Sequence, residues 1–236
     1  MDPAISKLNN VDHATLQVVA EYGSKWGDTR MTCLVLTSEM RSLQGSYPML
    51  FQLTPESENP LPIALMGFEQ GENLFVSEAG WSTRTIPLMM QKGPFLIASE
   101  RDQTAQEQSV IAIDENHPKL VQEGGEALFL EHGGYSPYLE KVINILERIE
   151  ASHSHTLAFA HALNEKNLVT GIDLKVNDAA GKPHVLSGFF GIDEDRVAAL
   201  GGDELGELHA QGHLAPLFMI LASQAQLTRL LTMKHA

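Results

Sequence analysis

The chain has 236 residues, of which 43% are hydrophobic and 19% charged, as in packed globular proteins and unlike disordered ones. Its net charge of -14 argues against nucleic-acid binding and against an anionic membrane surface, because both partners require clustered Lys and Arg. The length fits one domain over 1–236, with two lobes, 1–134 and 135–236, as the alternative.

The segment from Tyr47 to Ala98 predicts a β-rich core, because short apolar runs alternate there with proline and glycine. Gly71 and Gly80 end two turn sequences, since glycine adopts positive φ without steric cost. The pattern indicates a meander that is antiparallel at least in part. Strands are predicted near 48–53, 62–68, 73–76, 94–98 and 109–113.

After Gly133-Gly134 the sequence predicts mainly helices. Ser136 and Pro137 form a helix start, because the hydroxyl caps free amides and proline fits the first helical position. The apolar spacing predicts an amphipathic helix, then a second helical stretch through 157–163 that stops near Asn167. Later elements are a hairpin over 173–192, a helix over 194–200 capped by Asp193, a helical turn at 204–209 and a last helix at about 214–233.

The predicted fold class is therefore α+β, with an antiparallel β-rich N-terminal part packed with a helix-rich C-terminal part. Cys33 stands alone in an apolar run, which excludes an intrachain disulfide and predicts a buried thiol. The N-terminus has no basic and apolar signal pattern, and the longest strongly apolar stretch is about half of the roughly 20 residues that span a bilayer. We expect a cytoplasmic protein without membrane insertion.

The sequence has none of the local signatures of common enzyme families. Walker A, strand-coupled GxGxxG, GxSxG, HExxH and CxxC patterns are all missing. We therefore expect no cofactor and lean against an enzyme. An enzyme with a dispersed active site stays the alternative, drawing on Glu72, Arg84, the carboxylates of Asp114 and Asp193, or the histidines.

Two groups of histidines are candidates for metal ligands. The first is His153, His155 and His161, and the second is His209 with His213 at a spacing of four residues. That spacing would suit zinc on one helix face. Gly212 separates the second pair, and the first group straddles a predicted helix junction. We predict surface or packing histidines and no metal site.

Four residues of the β-rich segment are the candidates for a ligand site: Glu72, Asn73, Trp81 and Arg84. Polar groups set among apolar walls are typical of ligand clefts. The structural alternative is that Glu72 and Asn73 tie down a tight turn and that Trp81 fills the core. Both interpretations are open at this point.

The order of several motifs resembles the SapC family of bacterial proteins. These motifs are YPMLF, PIALMGF, GENLFV, Gly80-Trp81, Ile86-Pro87, GPFLIA, GEALF, GFFGIDEDRVAAL and SQAQLTRLL, which together extend from about residue 47 to 231. The chain departs from the family pattern before its Pro-Phe step, where Gln91-Lys92-Gly93 replaces a common Arg.

The resemblance implies an accessory role and assigns no catalytic residue. The family name is associated with surface-layer protein secretion, and an unrelated peptide-transporter permease shares it. Family members tend to be encoded near TonB-dependent receptors and tryptophan-halogenase-like proteins. We expect a non-catalytic binding protein for a peptide, a small molecule or a partner protein, with a surface-layer secretion factor as a further alternative.

Overall fold

A computed structural model describes residues 4–55, 57–101, 107–177 and 183–235. The strands of this part are β1 (Ile5–Lys7), β2 (Gln17–Val18), β3 (Thr32–Leu34), β4 (Met49–Gln52), β5 (Leu61–Leu65), β6 (Val76–Ser77), β7 (Gly80–Trp81), β8 (Phe95–Arg101), β9 (Glu107–Asp114), β10 (Leu120–Val121), β11 (Glu126–Ala127), β12 (Val169–Asn177) and β13 (Pro183–Ile192). The α-helices are α1 (Met40–Leu43), α2 (Leu88–Gln91), α3 (Pro137–Glu165), α4 (Glu194–Ala198), α5 (Gly202–Ala210), α6 (Leu214–Ser223) and α7 (Ala225–Lys234), and Ser24–Trp26 forms a 3-10 turn.

The fold is mixed α+β with antiparallel sheets and a helical C-terminal part, which confirms the predicted class. The chain forms two compact units. Unit 1 comprises Met1–Asp28, Val76–Ser82 and Leu88–Ala151, and unit 2 comprises Thr29–Phe75, Thr83–Pro87 and Ser152–Ala236. These borders differ from the predicted division at residue 134, and the number of domains stays a prediction.

Unit 1 is built on two small antiparallel sheets and the first half of α3. One sheet has the order β1-β9-β8 and the other β10-β2-β11, while β6 and β7 form a separate hairpin. Leu139, Val142 and Leu146 lie on one face of α3 and pack in a core that also contains Val18, Phe95, Ile113 and Leu128. The apolar stripe predicted for this helix is therefore confirmed.

Unit 2 is built on the five-stranded sheet β12-β13-β4-β5-β3, in which every pair is antiparallel. All five residues of β5 are buried, as expected for a central strand that is covered on both faces. Cys33 on β3 is buried, as predicted. The strand order departs from sequence order, so the predicted meander is wrong for this sheet. The antiparallel pairing is confirmed.

The predicted helix junction near residues 151–156 is wrong, since α3 runs without a break over 29 residues. The Ser and His residues there are weak helix formers, but they do not break a helix as Gly or Pro would. The Ser152 and Thr156 hydroxyls accept hydrogen bonds from the backbone amides of Ser38 and Thr37, at 3.4 and 3.1 Å, which ties this stretch into unit 2. The stop at Asn167 is confirmed, with φ at 54°.

Two further predictions need correction. Residues 73–75 do not form a strand, because the Asn73 side-chain oxygen accepts a hydrogen bond from the Phe75 amide at 3.0 Å and closes a turn. Of the predicted strand over 73–76, Val76 alone lies in a strand, β6 (Val76–Ser77). The last helix is interrupted at Gln224, whose side-chain amide donates to the carbonyl of Met49 at 2.7 Å. The cap at Asp193 is confirmed, with the Arg196 amide donating to its carboxylate at 3.0 Å.

One stretch of the described residues, Leu214–Lys234, is long and apolar enough to cross a membrane, with a mean hydropathy of 1.3 over its most apolar window. That window is 28% buried. Core helices of soluble proteins meet the same two conditions. Within unit 2, Leu217 and Ile220 are buried, and the hydroxyl of Ser223 accepts the Met49 amide at 2.9 Å.

Candidate functional site

A cavity of about 350 Å³ lies within unit 1 and has the chemistry of a binding site. We call it the Lys119 pocket. This volume falls in the range of small-molecule pockets. Apolar walls come from Val19, Val142 and Ile145, and the polar lining includes Tyr22, Gln91, Lys119, Glu126, Tyr138 and Lys141.

Lys119, which lines the pocket, belongs to a buried ion pair with Asp28. The Lys119 ammonium lies 3.1 Å from the Asp28 carboxylate, and each side chain is only 4% exposed. Lys119 is fixed by the sheet, because it directly precedes β10 and its carbonyl accepts the Val19 amide at 2.9 Å. Asp28 is fixed by a second bond, in which the Gly23 amide donates to its other oxygen at 2.9 Å. Both charges are therefore held in place by backbone groups.

Tyr22 covers the ammonium from one side. The Lys119 nitrogen lies 4.1 Å from the centre of the Tyr22 ring, a cation–π distance. The ring of Trp81, on β7, meets Tyr22 edge to face at 5.4 Å between centroids. Trp81 thus supports the side chain that covers Lys119, although it is not part of the cavity wall.

The N-terminal turns of α3 supply further polar residues of the pocket lining. Ser136 caps this helix by accepting the Leu139 amide at 3.1 Å, as the sequence predicts. Tyr138 follows in the first turn and Lys141 lies one turn later, so both reach the same side of the helix. Tyr138 is half-buried, whereas Lys141 and Glu126 are exposed and lie where the cavity meets solvent.

Burial changes the pKa of three groups that line the pocket, Lys119, Tyr22 and Tyr138. It lowers the pKa of the Lys119 ammonium, against the opposing effect of the Asp28 charge. It raises the pKa of Tyr22 to about 12, and the Asp28 charge adds to this rise. It raises the pKa of Tyr138 as well, with smaller contributions from Tyr22 and Glu126. Both phenols therefore stay protonated at neutral pH and present O–H donors.

The arrangement favours a ligand with oxygen acceptors. Lys119, Lys141 and the two phenols are all hydrogen-bond donors, and Glu126 is the one exposed anion among the described lining residues. Val142 and Ile145 give an apolar surface beside these donors. A small molecule with a carboxylate or carbonyl group and an apolar body matches this lining.

Two of the candidates from the sequence, Glu72 and Asn73, lie in unit 2 and shape a turn. One Glu72 oxygen accepts the Phe68 amide at 2.7 Å, and the other accepts the Lys234 ammonium at 2.6 Å. Asn73 is buried and closes the turn to Phe75. A Cβ at Gly67 would lie 2.6 Å from the Glu72 carbonyl oxygen, which explains why glycine stands there. These contacts agree with the structural interpretation; ligand binding by the two residues stays a prediction.

The other two candidates, Trp81 and Arg84, belong to different units. Trp81 belongs to unit 1 and Arg84 to unit 2, where Arg84 is exposed in the segment after β7. The carboxylates of Asp114 and Asp193 also belong to different units, and each bonds nearby backbone. Asp114 accepts the Asn116 amide at 3.1 Å, a local hydrogen bond that is common for aspartate at the end of a strand.

Unit 2 brings together one histidine from each predicted group. The rings of His155 and His213 lie 5.0 Å apart, and His213 also packs against Phe159 at 5.7 Å. His155 donates from Nε2 to the Gln211 carbonyl at 3.2 Å, so its Nδ1 accepts from the Thr37 hydroxyl at 2.8 Å. Among the described residues, no group of three or more His, Cys, Asp or Glu side chains is placed to hold a metal ion.

Lys119, Asp28 and Tyr138 were not singled out by the sequence. Their signals were weak: a lysine between Pro118 and a short apolar run, and an aspartate six residues after Tyr22. Isolated charges of this kind are usually exposed. The antiparallel pairing of β2 with β10 places Lys119 beside Val19, and the Gly23 amide fixes Asp28.

Comparisons with known proteins identify a family for this chain, but no individual relative. A protein-family model described as SapC matches residues 8–230, nearly the whole chain. A search of curated proteins gave no match. A search of solved structures gave none either.

Proposed function

This chain belongs to the SapC family, and from the geometry of the Lys119 pocket we propose that it is a non-catalytic accessory protein that binds a small molecule. The ligand class is an oxygen acceptor, a carboxylate or a carbonyl compound, with an apolar body. The observation that carries the proposal is Lys119, which lines the cavity and is paired with Asp28 although each side chain is only 4% exposed.

A buried ion pair is a weak source of stability, because the desolvation of two charges offsets most of their attraction. An apolar pair of similar volume would serve the fold as well. The combination of such a pair with two protonated phenols and an open cavity therefore supports a binding role. Of the three partners expected from the sequence, a cavity of about 350 Å³ favours the small molecule over a peptide or a protein.

The wider expectations from the sequence stay predictions. They include the link to TonB-dependent uptake or halogenase-like systems, the cytoplasmic location, the absence of nucleic-acid partners, and the oligomeric state. The alternatives of a dispersed active site and of a surface-layer secretion factor also stay predictions.

The direct test is isothermal titration with benzoate, whose carboxylate and ring match the donors and the apolar wall. Benzylamine is the control compound, because the like charges of Lys119 and Lys141 disfavour its ammonium in the pocket. We expect benzoate to bind and benzylamine to give no heat. The variant Lys119→Met/Asp28→Asn should lose benzoate binding, since it removes the ammonium without leaving a buried charge.

Lys175→Met is the matched control variant, because Lys175 is an exposed lysine on β12 of unit 2. It should bind benzoate as the original chain does. Binding of both compounds alike, no binding of either, or undiminished benzoate binding by the double variant would each contradict the proposal. Native mass spectrometry of gently purified protein then identifies the natural ligand by a retained mass that the double variant lacks.

A further inference from the structure

The geometry of the Lys119 pocket points to covalent capture: we propose that Lys119 binds the carbonyl carbon of an aldehyde as a reversible imine. This inference rests on the proposed function, because it makes an aldehyde the ligand of the same pocket. It adds a chemical step that non-covalent binding does not require.

The first requirement is an amine that loses its proton readily. Lysine nucleophiles are activated by desolvation, and the Lys119 side chain is 4% exposed beside the Tyr22 ring. Burial lowers the pKa of Lys119, which increases the fraction of neutral amine at neutral pH. Asp28, at 3.1 Å, is the group that accepts the proton.

The second requirement is a proton donor for the carbonyl oxygen. Tyr22 and Tyr138 line the same cavity and are held in their protonated forms by burial. A phenol that keeps its proton can lend it to the oxygen as negative charge develops there. A nucleophile and two proton donors therefore line the cavity, and the proton acceptor Asp28 lies 3.1 Å from the nucleophile.

The step balances without any further reactant. The ammonium of Lys119 passes a proton to Asp28, and the free amine attacks the carbonyl carbon, whose π electrons move to the oxygen. The oxygen takes up a proton from a phenol, and the nitrogen passes one back. Asp28 gives its proton to the hydroxyl, which leaves as water while the nitrogen lone pair forms the C=N bond, and the nitrogen keeps its one remaining proton. Ammonium plus aldehyde thus gives iminium plus water.

The iminium product keeps one positive charge on the Lys119 nitrogen. Asp28 can pair with this charge as it pairs with the ammonium, so capture keeps the buried charges balanced. The same pairing supports release, because water can attack the iminium and regenerate the aldehyde.

The test is reductive trapping with benzaldehyde as the probe and cyanoborohydride as the reductant, which converts an imine into a stable benzyl amine. Peptide mapping then compares Lys119 with the exposed Lys175 at pH 7.5. We expect Lys119 to be labelled several-fold faster than Lys175, because burial lowers the pKa of Lys119 and so raises its fraction of neutral amine. Benzoate should slow labelling of Lys119 and leave Lys175 unchanged.

Two variants separate chemistry from folding. Lys119→Arg keeps a cation for Asp28 but cannot form an imine, so it should fold, as judged by circular dichroism, and show no label at position 119. Lys175→Arg should leave labelling of Lys119 unchanged. If benzoate binds the original chain but Lys119 is labelled no faster than Lys175, covalent capture is refuted and the proposed function stands. If benzoate does not bind, the proposed function itself fails.

Discussion

The Lys119–Asp28 pair gives a quantitative prediction for the stability of unit 1. Lys119→Met removes the ammonium from beside the buried Asp28 carboxylate, and Asp28→Asn removes the carboxylate from beside the buried Lys119 ammonium. Both side chains are 4% exposed and 3.1 Å apart. Loss of one member of such a pair costs about 3–5 kcal/mol of unfolding free energy.

The double variant Lys119→Met/Asp28→Asn should be more stable than either single variant. It removes both charges, and the introduced asparagine amide keeps an oxygen to accept the Gly23 amide, which lies at 2.9 Å from Asp28. The loss is then limited to the attraction of the pair and the cation–π contact with Tyr22, about 1–2 kcal/mol in total.

Urea unfolding followed by tryptophan fluorescence measures this effect locally. The chain has two tryptophans, and both Trp26 and Trp81 belong to unit 1 together with the ion pair. Single variants that each lose less than about 1 kcal/mol would show that the pair is solvated. A double variant that loses the sum of the two single effects would refute the reasoning as well, because it would show no coupling.

Three more predictions concern individual residues. The Tyr22 phenol should titrate at about 12, so the absorbance difference between the original chain and Tyr22→Phe should show no ionisation near pH 10. The contribution of Tyr22 to the free energy of unfolding is fully present below pH 10 and is lost as the pH rises through 12. Burial and the neighbouring imidazole lower the pKa of His213, so stability should fall as the pH drops below about 6.5; His213→Phe should remove this dependence in thermal unfolding. Gly67→Ala should cost about 1–3 kcal/mol, because its Cβ would meet the Glu72 carbonyl at 2.6 Å. A Cβ at Gly45 would meet no described atom within 4 Å, so Gly45→Ala should be neutral. Both glycines belong to unit 2, so urea unfolding followed by circular dichroism measures both effects.

Much of the fold could be predicted because its signals are local. The helix start at Ser136 and Pro137, the cap at Asp193 and the stop at Asn167 each depend on a few neighbouring residues, and the structure confirms all three. The strands around 49–52 and 61–65 follow from short apolar runs between prolines.

Other features depend on partners far along the chain. The two-residue strand β2 is too short to leave a pattern, and it forms only because β10 and β11 pair with it. The turn at Asn73 replaced a predicted strand because a side-chain oxygen satisfied the backbone amide of Phe75. Local apolar character cannot show either outcome.

The candidate site was the least predictable part. Lys119 and Asp28 are separated by about ninety positions, and neither has neighbours that mark it as buried. Of the sequence candidates, Trp81 contacts a pocket residue, Tyr22. A ligand site of dispersed charged residues is therefore visible only after the sheets of unit 1 have been placed.

The most direct test of the proposed function is a crystal structure of the protein soaked in benzoate. The account predicts one benzoate in the Lys119 pocket, with its carboxylate within hydrogen-bond distance of Lys119 or of the phenols of Tyr22 and Tyr138, and with its ring against Val142 and Ile145. Crystals of Lys119→Met/Asp28→Asn should show the pocket without benzoate. An empty Lys119 pocket in the original chain, at a concentration that saturates the titration, would contradict the account.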